Sequence, residues 1–208
     1  MSVVTAGRSP EPRHFSMIRG FHLADLFTIA NGFCGVAAIF EAMRFLATQQ
    51  NRYLYVAAIL VPLALVFDVL DGRVARWRHK ASPMGRELDS LADVISFGVA
   101  PAGIAFAAGL DSVLDQIILM YFVACGLSRL ARYNITAESL AADTGKVRYF
   151  EGTPIPTSVV PLGVLLLAFH QGSLLPVRVL GGELHLVSLV FLVSGSLMIS
   201  KTLKVPKP

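Results

Sequence analysis

The sequence predicts an all-α integral membrane protein with six transmembrane helices, and three observations support this prediction. The 208 residues are 54% hydrophobic and only 15% charged, whereas soluble domains have about 25% charged residues. Apolar runs recur near the length of roughly 20 residues that a helix needs to cross a bilayer. Lysine and arginine are unevenly divided between the segments that separate these runs. We therefore expect one integral membrane domain.

Six apolar runs define the predicted spans in chain order. The second run is too short to cross on its own, so its helix must continue through Asp68 and Asp71. Pro83 and Gly85 interrupt the chain before the third helix, and the fifth run is the shortest of the six. The predicted spans are residues 23–45, 53–70, 88–108, 113–130, 156–170 and 184–200.

The segment before the first span is expected to have two parts. Residues 1–14 are polar and are predicted to be disordered, and residues 15–208 are predicted to form the membrane domain. Residues 15–22 mix aromatic, apolar and basic side chains, which favours a short helix at the membrane interface or a flexible basic lead. The first run begins too late and lacks a cleavage site, so we do not interpret it as a signal peptide.

The basic residues predict the orientation of the spans. With a cytoplasmic N-terminus, 15 of the 18 lysines and arginines fall on the inside, and only Arg44, Arg52 and Arg178 fall outside. This positive-inside bias predicts that both termini are cytoplasmic. The net charge of +4 then suits anionic lipid, and no basic and aromatic groove pattern indicates nucleic acid.

Four aspartates at the junction of the second and third runs indicate a metal site. Asp68 and Asp71 are three residues apart, and Asp89 and Asp93 are four apart, so each pair shares a helix face. Carboxylates beside a membrane are costly unless they face a partner. Two facing pairs would repel each other unless cations lay between them, and oxygen ligands suit Mg²⁺ or Mn²⁺. We expect this site at the cytoplasmic boundary.

The spacing resembles the signature of the CDP-alcohol phosphatidyltransferase family. That signature reads D-x-x-D-G-x-x-A-R, eight residues, then G-x-x-x-D-x-x-x-D. Every fixed position is met, by Asp68, Asp71, Gly72, Ala75, Arg76, Gly85, Asp89 and Asp93. The resemblance implies that the first three aspartates are ligands of two divalent cations. It implies that Asp93 is both a ligand and the general base for the acceptor hydroxyl.

Small and basic residues beside the aspartates suit a nucleotide diphosphate. Gly72 and Ala75 would let the nucleotide approach the helix backbone, although close helix packing is the alternative. Arg76 would reach phosphate oxygens, and an arginine that only anchors the helix at the interface is its alternative. The signature adds Gly85 to these nucleotide-binding candidates.

Three further stretches resemble the phosphatidylserine synthase branch of this family. They are T-x-x-N-x-x-x-G from Thr28, the third-helix stretch at 89–101, and R-x-A-R-Y-N at 129–134 together with F-x-G-T-P-x-P at 150–156. Tyr133 and Thr153 depart from the branch's usual Phe and apolar residue. The resemblance implies CDP-diacylglycerol and L-serine as substrates, with phosphatidylserine and CMP as products. Thr28 and Asn31 are predicted to contact the cytosine or sugar, with helix–helix hydrogen bonding as the alternative.

Acceptor-binding candidates lie on the third and fourth predicted spans. Arg129 and Arg132 are three residues apart at a membrane end and would clamp the carboxylate of serine or a phosphate. Membrane anchoring is the alternative reading of both. Ser96 and Asn134 complete this set of candidates.

Other functions remain open from the sequence. Glycerol 3-phosphate or an inositol phosphate would be the acceptor in the same reaction class, with Lys146 and Arg148 as further cations. A divalent-cation transporter is a more remote alternative, because its site would lie near the bilayer midplane, often between internal repeats. The family resemblance also implies a homodimer, and we expect a bacterial-type inner or plasma membrane.

Overall fold

Long helices dominate the structure, a computed structural model that describes residues 23–78, 83–142, 149–179, 182–200 and 204–206. The predicted disordered segment 1–14 and interfacial helix 15–22 lie outside these residues. Two short elements of other helical types are a π-helix, Val94–Val99, and a 3₁₀ turn, Ile155–Ser158. The α-helices are α1 (Leu23–Thr48), α2 (Asn51–Arg78), α3 (Pro83–Asp93), α4 (Ala100–Ala107), α5 (Val113–Ala142), α6 (Val159–His170) and α7 (Ser188–Ile199).

Four helical segments of the described chain are long and apolar enough to cross a membrane. They are Asp25–Thr48, Asn51–Val74, Met84–Ala107 and Val113–Ile135, and they correspond to the first four predicted spans. This part of the prediction is confirmed, and the protein is a membrane protein. The helices α6 and α7 have 12 residues each, which is about 18 Å of helix against a hydrocarbon core of about 30 Å. Six spans therefore stay a prediction.

The third span is a composite of three helical types. The helix α3 ends at Asp93, the π-helix follows without a break, and α4 continues from Ala100. A π-helix has wider turns than an α-helix and occurs mostly as single turns, often at functional sites. Ser96, Phe97 and Gly98 in this turn are all buried. The irregular turn thus begins directly after the fourth motif aspartate.

Small side chains allow α1 to pack closely along α2 and the composite third span. Ala38, Ala57 and Ala64 are fully or almost fully buried in this core. Close packing through small residues is the usual way in which helices associate in a membrane. On the outward faces, Phe33 and Ile59 are exposed by 72% and 66%, as expected for side chains that meet lipid.

Aromatic contacts help to pack the remaining helices against the bundle. Phe122 of α5 and Phe191 of α7 meet edge to face with ring centroids 5.4 Å apart. Phe169 of α6 meets Phe45 of α1 in the same way at 5.8 Å. Edge-to-face pairs of this kind stabilise a packed interface beyond the area that they bury. These contacts attach α6 and α7 to the bundle of longer helices.

Two antiparallel pairs of short strands, which the sequence analysis does not predict, lie at opposite ends of the bundle. The strands β1 (Tyr149–Glu151) and β4 (Lys204–Pro206) pair at the end that carries the aspartates, here named the motif end. The strands β2 (Pro176–Val179) and β3 (Gly182–His185) form a hairpin at the other end, named the far end.

A buried aspartate joins α5 to this hairpin at the far end. Asp115 accepts hydrogen bonds from Oγ of Ser112 at 2.7 Å and from the backbone N of His185 at 3.1 Å. Its Oδ2 also lies 2.6 Å from Nδ1 of His185. Because a buried carboxylate is costly without partners, this arrangement fixes the first turn of α5 against β3.

Candidate metal and active site

Three motif aspartates converge where α2 and α3 meet at the motif end. One carboxylate oxygen from each of Asp68, Asp71 and Asp89 lies within 4.8 Å of the others. Asp71 is buried and the other two are half-buried. Like charges this close are unfavourable in a low-dielectric site without a compensating cation. The predicted convergence of the two helix faces is therefore present for these three residues.

The fit of this cluster to a divalent cation follows from its donor atoms. All of its ligating atoms are carboxylate oxygens, the donors that Mg²⁺ and Mn²⁺ prefer. Oδ1 of Asp89 is buried and has no hydrogen-bond partner among the described residues. A buried carboxylate oxygen without a partner carries a desolvation cost that a bound cation would remove. The residues present thus suit a hard divalent cation.

Asp93 lies one turn beyond Asp89 on α3 and is buried. Its Oδ1 accepts a hydrogen bond of 3.0 Å from Nδ2 of Asn31 in α1. Arg129 of α5 is close enough for its charge to interact with that of Asp93. Asp93 therefore lies next to the three-carboxylate cluster, but its side chain also interacts with residues of α1 and α5.

A second hydrogen bond links α1 to the cluster. Oγ1 of Thr28 donates to Oδ2 of Asp71 at 2.8 Å, and both residues are buried. Thr28 and Asn31 are three residues apart, so they share one face of α1. Both side chains are predicted from the sequence to contact the nucleotide or to make hydrogen bonds between helices, and the structure shows the second for both.

Asp25 is an acidic neighbour of Asp71 that lies outside the signature of the four aspartates. It lies in the first turn of α1, is buried, and its charge acts on Asp71. The signal for it was an acid at the start of an otherwise apolar run, which is costly unless it has a function or a partner.

The motif glycines and their neighbours border the cluster. Apart from its chain neighbours and the nearby backbone of α2, no heavy atom of the described residues lies within 4 Å of the position that a Cβ on Gly72 would take, so space beside this glycine is open. Gly85 lies in the first turn of α3 and is half-buried. The backbone of Ala75 and Arg76 belongs to α2, and their side chains lie outside the description.

Among the acceptor candidates, Arg129 lies close enough to Asp93 for their charges to interact. It is half-buried, its charge interacts with Asp93, and its Nε is buried without a hydrogen-bond partner among the described residues. Arg132 instead donates a long hydrogen bond of 3.5 Å to the carbonyl of Ile199 at the end of α7. It lines a groove of about 380 Å³ between α5 and α7, together with Tyr121 and Ser128.

Asn134 and Ser96 use their side chains for contacts between helices. Nδ2 of Asn134 donates to Oγ of Ser90 at 3.1 Å and to Oε2 of Glu87 at 3.2 Å, which joins α5 to α3. Ser96 is fully buried, and its hydroxyl donates to the backbone carbonyl of Asn31 at 2.8 Å. Of the four acceptor candidates, Arg129 is therefore the one whose guanidinium lies near a motif aspartate.

Comparison with known proteins identifies the family of this chain. The family profile described as CDP-alcohol phosphatidyltransferase matches residues 21–194. The chain belongs to the CDP-alcohol phosphatidyltransferase family. The resemblance noted in the spacing of the aspartates is thus confirmed, and the match includes all four of them. Membership of this family agrees with an acidic cluster at the end of a helical membrane bundle.

Individual members of the CDP-alcohol phosphatidyltransferase family are similar over most of this chain. A Saccharomyces cerevisiae protein named CDP-diacylglycerol–serine O-phosphatidyltransferase is 46% identical over 218 residues, covering 95% of this chain and 75% of the yeast protein. A Methanothermobacter thermautotrophicus protein named archaetidylserine synthase is 36% identical, covering 73% of this chain. A Helicobacter pylori protein with the same name as the yeast one is 41% identical over 65% of this chain. The chain spans only 60% and 53% of the archaeal and H. pylori proteins.

Proposed function

We propose that this protein transfers the phosphatidyl group of CDP-diacylglycerol to the hydroxyl of L-serine, giving phosphatidylserine and CMP. The observation that carries the reaction class is the convergence of Asp68, Asp71 and Asp89 within 4.8 Å in a member of this family. The choice of serine as the acceptor is supported by the names of the yeast and H. pylori relatives, which are both serine O-phosphatidyltransferases. The proposal therefore rests on a site and on similarity that point to the same reaction.

The carboxylate cluster would hold two divalent cations, Mg²⁺ or Mn²⁺, with Asp93 as a further ligand. Such cations would bind the pyrophosphate of the substrate and stabilise the charge that develops on the leaving group. The unpartnered buried oxygen of Asp89 supports this use of the cluster. Transfers of this kind depend mainly on positioning and on electrostatic stabilisation.

Asp93 is proposed as the general base of the transfer. It would accept the proton of the serine hydroxyl as that oxygen forms a bond to the phosphorus of the phosphatidyl group. The bond between this phosphorus and the bridging oxygen breaks, and its electron pair leaves with CMP. The proton then passes from Asp93 to water. Direct attack is favoured because the sequence offers no separate nucleophile beside the aspartates.

Arg129 is proposed to bind the carboxylate of serine beside this base. Its guanidinium is half-buried, its Nε has no hydrogen-bond partner among the described residues, and its charge acts on Asp93. A guanidinium donates two parallel hydrogen bonds to a carboxylate, which would orient the serine hydroxyl toward Asp93. Arg132, Ser96 and Asn134 stay predictions as acceptor contacts.

The nucleotide would lie along the start of α3 and the end of α2. The open space beside Gly72 supports a close approach of the nucleotide to the backbone of α2. Ala75, Arg76 and Gly85 stay predictions for the same surface. For Thr28 and Asn31, a nucleotide contact competes with the hydrogen bonds that both make to aspartates.

The membrane arrangement is proposed to be a six-span domain with the motif end in the cytoplasm. The bias of lysines and arginines supports this orientation of the site and both termini. A bacterial-type inner or plasma membrane and a homodimer remain predictions. Accessibility of single introduced cysteines would test the orientation, and cross-linking in native membranes would test the dimer.

One assay tests both the reaction and the acceptor. Purified protein in detergent would receive CDP-dioleoylglycerol and Mn²⁺, and CMP release would be compared with serine, glycerol 3-phosphate, an inositol phosphate or no acceptor. We expect serine alone to stimulate release and phosphatidylserine to form. Stimulation by a phosphorylated acceptor would overturn the choice of serine. No release with any acceptor, despite Mn²⁺ binding, would favour the transporter alternative.

A further inference from the structure

The helix α1 presents two polar side chains to two different motif aspartates. Thr28 donates to Asp71 at 2.8 Å, and Asn31 donates to Asp93 at 3.0 Å. Asp71 belongs to α2 and Asp93 to α3, so one face of α1 touches both helices of the acidic motif. All four residues are at most 7% exposed. Each contact is thus a buried hydrogen bond to a carboxylate, which is stronger than one between neutral groups.

The backbone of α1 is itself held in place behind these side chains. Ser96 of the π-helix donates from its hydroxyl to the carbonyl of Asn31 at 2.8 Å. Gly35, one turn further along α1, allows this approach, because a Cβ there would lie 2.7 Å from Cα of Ser96. The close approach at Gly35 thus lets Ser96 hold the backbone of Asn31, and the side chain of Asn31 in turn holds Asp93.

We infer that Thr28 and Asn31 are positioning residues that orient Asp71 and Asp93. This inference deepens the proposed function, on which it rests, by giving α1 a role in the geometry of the site. A ligating carboxylate has several free rotamers, and a fixed donor on one oxygen leaves the other directed to a single place. Thr28 thereby fixes a member of the metal cluster, whereas Asn31 fixes the proposed base.

The two positions predict different losses, which makes the inference testable. Thr28→Val keeps the shape of the side chain and removes the donor, so we expect Mn²⁺ binding to weaken by about 10- to 100-fold. Thr28→Ser keeps a hydroxyl and should restore most of the affinity. Asn31→Leu should lower kcat by about 10- to 100-fold while the apparent KM for CDP-dioleoylglycerol changes less than about twofold.

The experiment combines Mn²⁺ binding, followed by electron paramagnetic resonance without substrate, with steady-state kinetics in mixed micelles. Thr48→Val and Asn51→Leu are matched controls at the far end, where both residues are exposed. If Asn31→Leu fails to fold, Ser96→Ala is the substitute, because it removes the hydrogen bond that holds the backbone of Asn31. This variant should also lower kcat. Circular dichroism and gel filtration would establish that each variant is folded.

The outcomes separate this inference from the proposed function. Variants that raise the KM for CDP-dioleoylglycerol at unchanged kcat and unchanged Mn²⁺ affinity would show nucleotide contacts and overturn the inference. Wild-type values in all the variants would overturn it as well. If the wild-type protein released no CMP with serine, the proposed function would fail, yet the Mn²⁺ binding of Thr28→Val would still decide the part of the inference that concerns the cluster.

Discussion

Gly35 of α1 lies so close to Ser96 of the π-helix that a Cβ on Gly35 would stand 2.5 Å from the Ser96 hydroxyl oxygen and 2.9 Å from the Ser96 backbone N. No side chain fits at these distances without movement of backbone, and the movement would carry the third span away from α1. The contact explains why a glycine lies in the interior of a long transmembrane helix, where it costs conformational entropy.

Gly35→Ala should therefore destabilise the protein by about 1–3 kcal/mol, the usual cost of overpacking a close contact. Gly103→Ala is the matched control in α4, because the added methyl group would meet no heavy atom of the described residues within 4 Å apart from its chain neighbours and the nearby backbone of its own helix. This control should be neutral or stabilising by up to about 1 kcal/mol. Thermal unfolding in detergent, followed by circular dichroism, measures both. Equal unfolding temperatures for the two variants would contradict the close contact.

Asp89→Asn should abolish Mn²⁺ binding and turnover together. The substitution keeps the shape of the side chain but removes a charge from a cluster whose buried oxygen has no hydrogen-bond partner among the described residues. Because the same change also removes repulsion from Asp68 and Asp71, the folded state should not lose stability. Asp111→Asn, at an exposed far-end position, is the control. Intact Mn²⁺ binding in Asp89→Asn would argue against this ligand.

Asp93→Asn should lower kcat by about 10²- to 10⁴-fold, the range expected for loss of a general base. Binding of CDP-diacylglycerol should be partly retained, since the cluster of Asp68, Asp71 and Asp89 remains. Single-turnover release of CMP separates the chemical step from binding. Near-normal turnover would remove the assignment of Asp93 as the base.

Arg129→Gln should raise the KM for serine by tenfold or more, because a guanidinium–carboxylate pair that is shielded from water contributes about 1.5–3 kcal/mol. The KM for CDP-diacylglycerol should change much less. Arg178→Gln, in the exposed far-end hairpin, is the matched control. An unchanged KM for serine would leave Arg129 as a membrane anchor or as a residue that acts only on Asp93.

Asp115→Ala should destabilise the far end without a direct effect on the site. It would leave the hydroxyl of Ser112 and two donors of His185 without their carboxylate, at a cost of roughly 1–3 kcal/mol for an unsatisfied buried group. The unfolding temperature should fall, while kcat measured well below that temperature should be unchanged. A fall in kcat at low temperature would instead show that the two ends of the bundle are coupled.

What the sequence predicted correctly was encoded locally. The first four spans follow from continuous apolarity, and the convergence of Asp68, Asp71 and Asp89 follows from residue spacing on two helices. Contacts that depend on distant partners were not predictable in this way. The bond from Ser96 joins residues 65 apart, and Asp115 meets His185 70 residues later. The strands β1 and β4 also pair residues that are far apart in the chain, such as Phe150 and Val205.

The lengths of the last two helices show the same limit. The predicted fifth span, 156–170, ends with α6, whereas the predicted sixth span, 184–200, begins within β3, because the apolar run starts before α7. The structure ends α6 at a turn in which Gly172 has a φ of 63°, and the chain then forms the far-end hairpin. A left-handed glycine ends a helix because it satisfies the last carbonyls at no steric cost. Apolarity alone does not distinguish such a hairpin from the end of a span.

The π-helix joins the two α-helical parts of the third span, α3 and α4, and sets the directions in which their side chains point relative to each other. An α-helix rotates by about 100° per residue, and a wide turn accommodates one extra residue without unwinding its neighbours. Removing any one residue between 94 and 99 would let the span run as a plain α-helix. With α4 held in the core, Asp89 and Asp93 would then keep roughly their present direction toward α2, because the wide turn already takes up the extra residue. A one-residue deletion in this stretch should therefore turn the aspartates much less than the roughly 100° that the same deletion would cause in a regular α-helix.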